Sequence, residues 1–198
     1  MCIIFLVVFK VVDQWSDFRP VYRELHKLKD IFPGIPIMTL TATSPRYIEE
    51  TIVRTLRLKN PFTLRTALNR PNLRFEARPK TLRNNTSTAE TALIDLLPIL
   101  SQHNGNGSII IYVIRISDAK DIAAALNEQG IVCKPYHSGL KPPEERKKTL
   151  EEFRSGTLKV VVCTIAFGMG IDRQDVRKVI HYGMPRTIEG YYQEGKNY

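Results

Sequence analysis

Residues 158–172 read LKVVVCTIAFGMGID, an apolar run that passes directly into a glycine-rich segment. The run from Leu158 to Cys163 has the length and the β-branched composition of a buried strand. Gly168 and Gly170 allow the main chain to approach a ligand closely or to adopt positive φ, and Asp172 adds a carboxylate. Because ligands gather beyond the carboxyl ends of the strands in parallel sheets, this stretch predicts both a sheet and a site.

Apolar runs alternate with segments of helical period throughout the C-terminal half. We predict strands at Ile109 to Val113, Val132 to Tyr136, Leu158 to Cys163 and Val176 to Tyr182, and helices at Asp118 to Gln129 and Pro143 to Phe153. Gly130 and Gly156 stand where the ends of helices favour glycine. This alternation is typical of an α/β fold in which helices cover both faces of a parallel sheet.

The N-terminal half shows the same pattern in a shorter form. We predict strands at Ile3 to Val12 and Ile35 to Leu40, and helices at Pro20 to Phe32 and Pro45 to Leu58, the second capped by Ser44. In the first of these helices, Val21, Leu25, Leu28 and Phe32 share one face. The polar stretches Asn84 to Thr88 and His103 to Gly107 predict loops or linkers. We place the boundary between two domains near Leu68, which gives the ranges 1–68 and 69–198.

Composition narrows the class of partner. The chain has 198 residues, 29 Lys and Arg against 20 Asp and Glu, and a net charge of +9. This balance favours an anionic partner, of which nucleic acid is the commonest, although a basic surface can also serve solubility alone. The three cysteines form no CxxC pair, so no metal site and no disulfide framework is expected. The apolar start is too short to cross a bilayer and indicates a buried strand.

Five segments, in order along the chain, resemble the RecQ family of superfamily 2 helicases. The stretch from Ala166 to Asp172 resembles motif V in the wording of that family. The others are Trp15 to Pro20 (the aromatic-rich loop), Thr39 to Thr43 (motif III), Tyr136 to Leu140 (the family's Tyr-His-Ala-Gly-Leu element) and Glu189 to Glu194 (the opening of motif VI). The sequences of Arg78 to Thr81 and of His181 to Pro185 are most similar to those of the Werner type.

The resemblance implies two RecA-like parallel-sheet lobes, the first incomplete at its N-terminus and the second truncated within motif VI. It also implies an ATP-dependent 3′ to 5′ DNA helicase that acts in the nucleus in DNA repair, recombination and replication. ATP and magnesium would be the cofactors and single-stranded or forked DNA the partner, with no membrane association. The resemblance assigns Thr41, Thr43, Gly170, Asp172 and Gln193 to the nucleotide side, and Trp15, Phe18, Arg19, His137, Ser138 and Thr164 to the DNA side.

Taken alone, some of these residues have simpler explanations. Thr41 and Thr43 after a strand are more often a turn and a helix cap than a phosphate site. Trp15 and Phe18 could be core residues beside the start of a helix. The glycine-rich stretch is the specific signal, because a loop with only a packing role seldom matches a whole motif.

The sequence departs from the family at each part of the catalytic machinery. It contains no loop ending in Gly-Lys-Ser/Thr, and Val7, Val8, Phe9 and Lys10 stand at the position of the acidic box. Arg115 is displaced by one position from the family arginine, which on a strand would turn it to the other face. Lys196 stands near the place of the arginine finger. We therefore expect no complete catalytic set and an inactive isolated chain.

Three alternatives to a DNA helicase remain open from the sequence. One is a non-catalytic module that binds single strands or a protein partner. Another is an incomplete gene product. The third is an RNA helicase, against which the aromatic loop and the wording of Phe167 to Asp172 argue.

Overall fold

The computed structural model describes residues 4–7, 24–40, 46–65, 71–82, 86–102, 107–167, 173, 175–185 and 191, with the backbone alone for 4–7. Contacts divide the chain into two compact units, Met1–Phe75 and Glu76–Tyr198. Leu68, near which the sequence places the domain boundary, lies outside the described residues. The assignment of the two units to helicase lobes stays a prediction.

The first unit has two parallel strands and two helices. Strand β1 (Ile4–Val7) pairs in register with β2 (Ile37–Leu40), and helix α1 (Lys27–Ile31) lies between them in sequence. Helix α2 (Arg46–Thr55) follows β2. In the described part of this unit, the buried cluster consists of Ile52 and Leu56, against which Leu25, Ile48 and Leu58 pack.

The sequence overestimated the extent of α1 and β2. The helix predicted from Pro20 begins at Lys27 within the described residues, and Phe32, placed on its buried face, is 43% exposed. Pro33 explains this end, because a proline disfavours helical backbone at the residue before it. The predicted strand begins at Ile37 instead of Ile35, since Pro36 cannot donate to a sheet. The predicted cap Ser44 lies outside the described residues.

The second unit contains a four-stranded sheet of entirely parallel pairs in the order β4-β5-β3-β6. The predicted strands are confirmed as β3 (Ser108–Val113), β4 (Cys133–Tyr136), β5 (Val160–Cys163) and β6 (Val176–Tyr182). The predicted helices are confirmed as α4 (Ile116–Glu128) and α5 (Pro143–Ser155). The fold class predicted from the alternating pattern is therefore confirmed.

Helix α3 (Thr88–Ser101) was missed in the sequence, where Thr88 was placed in a loop. A capping box fixes its start: the backbone N–H of Glu90 donates to Ser87 Oγ at 3.2 Å, and the backbone N–H of Ser87 donates to Glu90 Oε2 at 3.0 Å. The spacing Ser87-x-x-Glu90 before an apolar run was the available signal. Pro98 lies within the helix near its C-terminal end.

Alternate residues of β3 face two separate cores. Ile109, Ile111 and Val113 pack in a cluster that includes buried residues of α3 and α4. Ile110 and Tyr112 pack on the other side with Phe153 of α5 and Phe167. All six residues of β3 are buried, as expected for a central parallel strand with both faces covered.

Arg173 ties together the ends of several elements at the amino edge of this sheet. Its side chain is 7% exposed, and its guanidinium donates to the carboxylate of Asp175 and to the carbonyl oxygens of Phe153 and Leu158. Its guanidinium carbon also lies 4.8 Å from the centre of the Phe153 ring. A buried arginine with this set of acceptors links the end of α5 to the start of β5 and β6.

Candidate functional site

The carboxyl ends of β4 and β5 lie side by side and carry three of the predicted site residues. Tyr136 pairs with Cys163 in the sheet, and the backbone N–H of Thr164 donates to the carbonyl of Tyr136 at 3.1 Å. His137 and Thr164 therefore follow directly after paired residues, with Ser138 next along the chain. The structure brings these three predicted DNA-side residues to one edge of the sheet, where parallel folds bind their ligands.

The start of the glycine-rich stretch is held by aromatic packing. Residues Ile165–Phe167 form a turn of 3-10 helix, closed by a hydrogen bond from the Phe167 N–H to the Thr164 carbonyl at 3.0 Å. The Phe167 ring meets Tyr136 edge-on at 4.7 Å and Phe153 at 5.2 Å between centroids. Phe167 therefore anchors the described start of the glycine-rich stretch.

His137 is buried beside the first turns of α4. His137 is 1% exposed, and neither of its imidazole nitrogens has a hydrogen-bond partner among the described residues. Burial lowers the pKa of His137 below its usual value, and the positive charge of Lys120 lowers it further. The imidazole is therefore neutral near pH 7, and any contact with a phosphate would be made by one neutral N–H donor.

Ser138 is exposed and Thr164 is 7% exposed. A hydroxyl can donate to a phosphate oxygen without adding charge, which suits contact with a backbone of any sequence. Of the three residues at this edge, Ser138 is thus the one already open to a ligand.

An apolar rim, which we define as Ile114, Ile165 and Met184, was missed in the sequence. Their exposed fractions are 52%, 58% and 88%. Ile114 covers the end of β6, because a β-carbon built at Gly183 would lie 3.1 Å from its Cδ1. The signal available was an apolar residue within two positions after the end of each of three strands.

Arg115 does not lie on a strand, contrary to the expectation from the sequence. Strand β3 ends at Val113, and Arg115 is the extended N-cap residue of α4, with φ −104° and ψ 149°. Alternation of side chains between the two faces of a strand therefore does not apply to it. Its side chain is exposed at the start of α4, at the same carboxyl edge as Ser138.

The remaining predicted site residues lie outside the described residues. They are Trp15, Phe18, Arg19, Thr41, Thr43, Gly170, Asp172 and Gln193, together with Val8, Phe9 and Lys10 of the acidic-box position. Within the described ranges no group of three or more His, Cys, Asp or Glu could hold a metal ion.

Two cysteines of the second unit, Cys133 and Cys163, are buried free thiols. Burial raises the pKa of Cys133 to about 12, so its thiol is protonated near pH 7. No helix among the described residues is long and apolar enough to span a bilayer.

Comparison with known proteins identifies a helicase domain. The family described as helicase conserved C-terminal domain matches residues 89–195. The chain is 40% identical over 185 residues to the ATP-dependent DNA helicase hus2/rqh1 of Schizosaccharomyces pombe, covering 92% of this chain and 13% of that protein. It is 38% identical over 189 residues to the mouse bifunctional 3'-5' exonuclease/ATP-dependent helicase WRN, covering 92% and 13%. A putative ATP-dependent RNA helicase of Acanthamoeba polyphaga mimivirus is 42% identical over 178 residues, covering 90% and 31%.

Solved structures agree on the fold. Dbp5 of Saccharomyces cerevisiae bound to RNA and ADP BeF3 superposes with a TM-score of 0.64 at 20% identity, covering 92% of this chain and 46% of that one. A DEAD box protein from Methanococcus jannaschii gives a TM-score of 0.52 at 19% identity, covering 90% and 46%. These likenesses show the RecA-like α/β fold alone.

This chain spans 13%, 13% and 31% of the lengths of the three relatives named above, hus2/rqh1, WRN and the mimivirus helicase. The matched family and the identity over nine-tenths of the chain show that it belongs to the RecQ family of helicases, within which it carries the conserved C-terminal domain.

Proposed function

We propose that this chain is part of an ATP-dependent 3′ to 5′ DNA helicase that acts in the nucleus in DNA repair, recombination and replication. Residues 1–68 would be the later part of the first motor lobe and residues 69–198 the second lobe, up to the opening of motif VI. The observation that carries the proposal is that Ala166 and Phe167, the described start of the glycine-rich stretch, lie just beyond the carboxyl end of β5, whose last residue pairs with Tyr136 next to His137. Relatives named as DNA helicases support it.

The carboxyl edge of the second sheet would contact the backbone of a single strand. Ser138 and Thr164 offer hydroxyl groups, and the net charge of +9 attracts phosphates without regard to sequence. Trp15 and Phe18 would add base stacking, which every base accepts. Thr41, Thr43, Gly170, Asp172 and Gln193 would face ATP, with its magnesium, in the intact protein.

Single-stranded DNA binding tests this edge directly. We expect weak binding of a labelled oligonucleotide that falls steeply with salt, since each phosphate contact releases counterions. Ser138→Ala should weaken binding roughly two- to tenfold, the value of one lost hydrogen bond. Ser155→Ala is the matched control, because Ser155 is equally exposed but ends α5 at the opposite edge of the sheet. Equal affinities of the two variants for the oligonucleotide would show that Ser138 does not contact DNA.

Stacking on the aromatic loop makes a separate contribution. Trp15→Ala should cost about 1–3 kcal/mol of binding free energy if its ring stacks on a base. An unchanged affinity in a variant that keeps its circular dichroism spectrum would show that Trp15 does not stack on DNA and would favour a role in the core.

We propose further that the isolated chain does not hydrolyse ATP. Phosphoryl transfer depends on positioned charge, and the 198 residues contain neither a Gly-Lys-Ser/Thr loop nor carboxylates at Val7 and Val8. DNA-stimulated phosphate release should be undetectable, whereas a chimera that supplies a complete first lobe and a Gly-Arg-x-Gly-Arg tail should restore it. Turnover by the unmodified chain that is abolished by Asp172→Ala would overturn this proposal.

Two other functions predict different results in the same assays. A non-catalytic binding module, favoured by Val7 to Lys10 at the acidic-box position, would bind single strands while the chimera stays inactive. The mimivirus relative named as an RNA helicase favours RNA as the alternative substrate. Competition between DNA and RNA of equal length distinguishes the two substrates, and we expect DNA to bind more tightly.

A further inference from the structure

We propose that Thr81 is a phosphorylation site for a protein kinase that selects arginine three residues before its target, and that the phosphate opens a contact between Thr81 and Asp95. This inference goes beyond the proposed helicase function. It concerns residues 76–82, the segment that begins the second unit, which we call the entry segment.

Asp95 of α3 holds the entry segment against the sheet. Its carboxylate accepts from the Thr81 hydroxyl at 2.6 Å, from the Thr81 backbone N–H at 3.2 and 3.3 Å, and from the Tyr182 hydroxyl at 3.2 Å. We call these three residues the Asp95 clasp. Tyr182 is the last residue of β6, so the clasp joins the entry segment to the carboxyl end of a strand.

Two cations precede Thr81. Lys80 Nζ lies 4.2 Å above the Tyr182 ring, and Arg78 pairs with Glu76 at 2.6 Å. Both ion-pair partners are at least half exposed, so that pair is weak and can be exchanged for a carboxylate on another protein. Arg78 therefore remains available to the acidic cleft of a kinase.

An arginine three residues earlier precedes four threonines of this chain and no serine: Thr81, Thr86, Thr149 and Thr157. A kinase needs its target in an extended segment that can enter the active-site cleft, and the four threonines differ in this respect. Thr149 is 4% exposed inside α5. Thr157 follows Gly156, whose φ is +86°, and precedes Leu158, which is 3% exposed. Thr86 immediately precedes the N-cap residue of α3.

Thr81 is not buried inside a helix, does not lie between a left-handed residue and a buried one, and does not border a helix. Among the described residues, 73–82 form no helix or strand, and Leu82, the next residue, is 89% exposed. The cations before Thr81 form a charge pattern of the kind by which kinases discriminate their substrates. Thr81 is itself half-buried, and of the four threonines it is the one in a described segment without helix, strand or left-handed neighbour.

The reaction is an ordinary phosphoryl transfer from ATP supplied with the kinase. The Thr81 hydroxyl oxygen forms a bond to the γ-phosphorus, the bond from that phosphorus to the β,γ-bridging oxygen breaks, and ADP leaves. The hydroxyl proton passes to the kinase's catalytic base. The product carries about −1.5 to −2 charge near pH 7 and no longer has a hydroxyl proton to donate to Asp95.

Like charge then replaces a hydrogen bond. The phosphate oxygens would stand where the donor now lies, next to a carboxylate that accepts from it at 2.6 Å. Repulsion favours release of the entry segment from Asp95, and Lys80 is drawn from the Tyr182 ring toward the phosphate. The modification would therefore loosen the start of the second unit without altering its core.

The experiment incubates the full 198-residue chain with the catalytic subunit of such a kinase and magnesium ATP, and locates phosphate by tandem mass spectrometry. We expect phosphate at Thr81, and Arg78→Ala should lower the rate at that site by about tenfold, the value of a charge-assisted hydrogen bond. Lys147→Ala is the matched control: it removes an exposed cation outside the entry segment, near the buried Thr149. A peptide spanning residues 76–86 provides the unfolded comparison.

Hydrogen exchange on the same samples tests the consequence. Amides of residues 76–82 should exchange at least about tenfold faster after phosphorylation, as expected for the loss of hydrogen bonds to one carboxylate. Asp95→Asn should reduce this response, because an amide does not repel the phosphate. Phosphorylation of the peptide but not of the folded chain at Thr81 would overturn the site, and unchanged exchange in the phosphorylated chain would overturn the switch.

Discussion

Arg173 is the most constrained charged side chain in the described part of the second unit, being buried among backbone carbonyls with one carboxylate partner. Its guanidinium holds the pKa of Asp175 below its usual value. Lys159 also approaches Asp175, at 3.7 Å, but it is 48% exposed. The two cations therefore differ in environment while sharing one anion, so removing Asp175 and removing Lys159 affect different contacts.

Asp175→Ala should lower the free energy of unfolding by on the order of 2 kcal/mol, because it leaves a buried guanidinium without its anion. The cost stays below the roughly 3–5 kcal/mol of a fully buried pair, since the Asp175 side chain is 40% exposed. Lys159→Ala, the control, should cost less than about 1 kcal/mol. Urea unfolding measures both, and equal costs would contradict this account of Arg173.

His137 predicts a pH dependence of stability. Its pKa in the folded chain is lowered from 6.5, so the unfolded chain binds the proton more readily. The stabilisation is complete above pH 6.5 and is lost as the pH falls below that value toward the folded pKa. Burial lowers the pKa of His181 as well, so His181 acts in the same window.

Thermal unfolding between about pH 7.5 and about pH 5.5 tests this window, which lies above the range where carboxylates protonate. His137→Gln should flatten the fall in melting temperature, and the double variant with His181→Gln should flatten it further. His26→Gln in the first unit is the control. A slope that the double variant leaves unchanged would exclude both imidazoles as its source.

The ends of helices show how local chemistry and packing combine. Gly130 after α4 and Gly156 after α5 both adopt left-handed backbone, with φ of +80° and +86°. No atom of the described residues lies within 4 Å of a β-carbon built at Gly130, whereas one built at Gly156 would lie 3.2 Å from a guanidinium nitrogen of Arg173. The two positions share a backbone requirement and differ in their neighbours.

Gly130→Ala should cost about 1–2 kcal/mol of stability, the penalty for a β-carbon in left-handed backbone. Gly156→Ala should cost more, because Arg173 must also shift within its set of acceptors. Gly34→Ala is the control, since its φ lies outside the left-handed range and its β-carbon would meet nothing within 4 Å. Denaturant midpoints give the order, and a smaller loss at Gly156 than at Gly130 would contradict it.

The two compact units of the chain differ in their described cores. The second has two clusters of buried residues, one on each face of a four-stranded sheet. In the first, two described residues form the buried cluster beside a two-stranded sheet, and Met38 and Leu40 of β2 are 44% and 43% exposed. A parallel pair with apolar side chains open to water contributes little stability by itself.

Limited proteolysis should therefore leave a resistant fragment that begins between about residue 69 and residue 76 and retains the second unit. The expected cause is faster local opening of the first unit, where fewer apolar contacts must break. Mass spectrometry of the fragments measures this. Equal protection of both units at low protease concentration would contradict the difference in core size.

The sequence alone predicted the α/β class, all four strands of the second sheet and the family, because these depend on local periods and on a motif of consecutive residues. Gly130 and Gly156 were predicted as helix ends for the same reason. Their left-handed backbone is a local requirement that glycine meets at low cost. The missed helix α3 also had a local signal, the capping box of Ser87 and Glu90.

Tertiary structure decided what depends on residues far apart in the chain. The strand order β4-β5-β3-β6 places His137 beside Thr164, although neither residue's neighbours in sequence reveal the other. Burial of His137, and with it the direction of its pKa shift, depends on packing near α4. The Asp95 clasp joins residues 81, 95 and 182, and Arg173 reaches back to Phe153. Such contacts arise only when the chain folds, because each needs partners that loops and helices bring from distant positions.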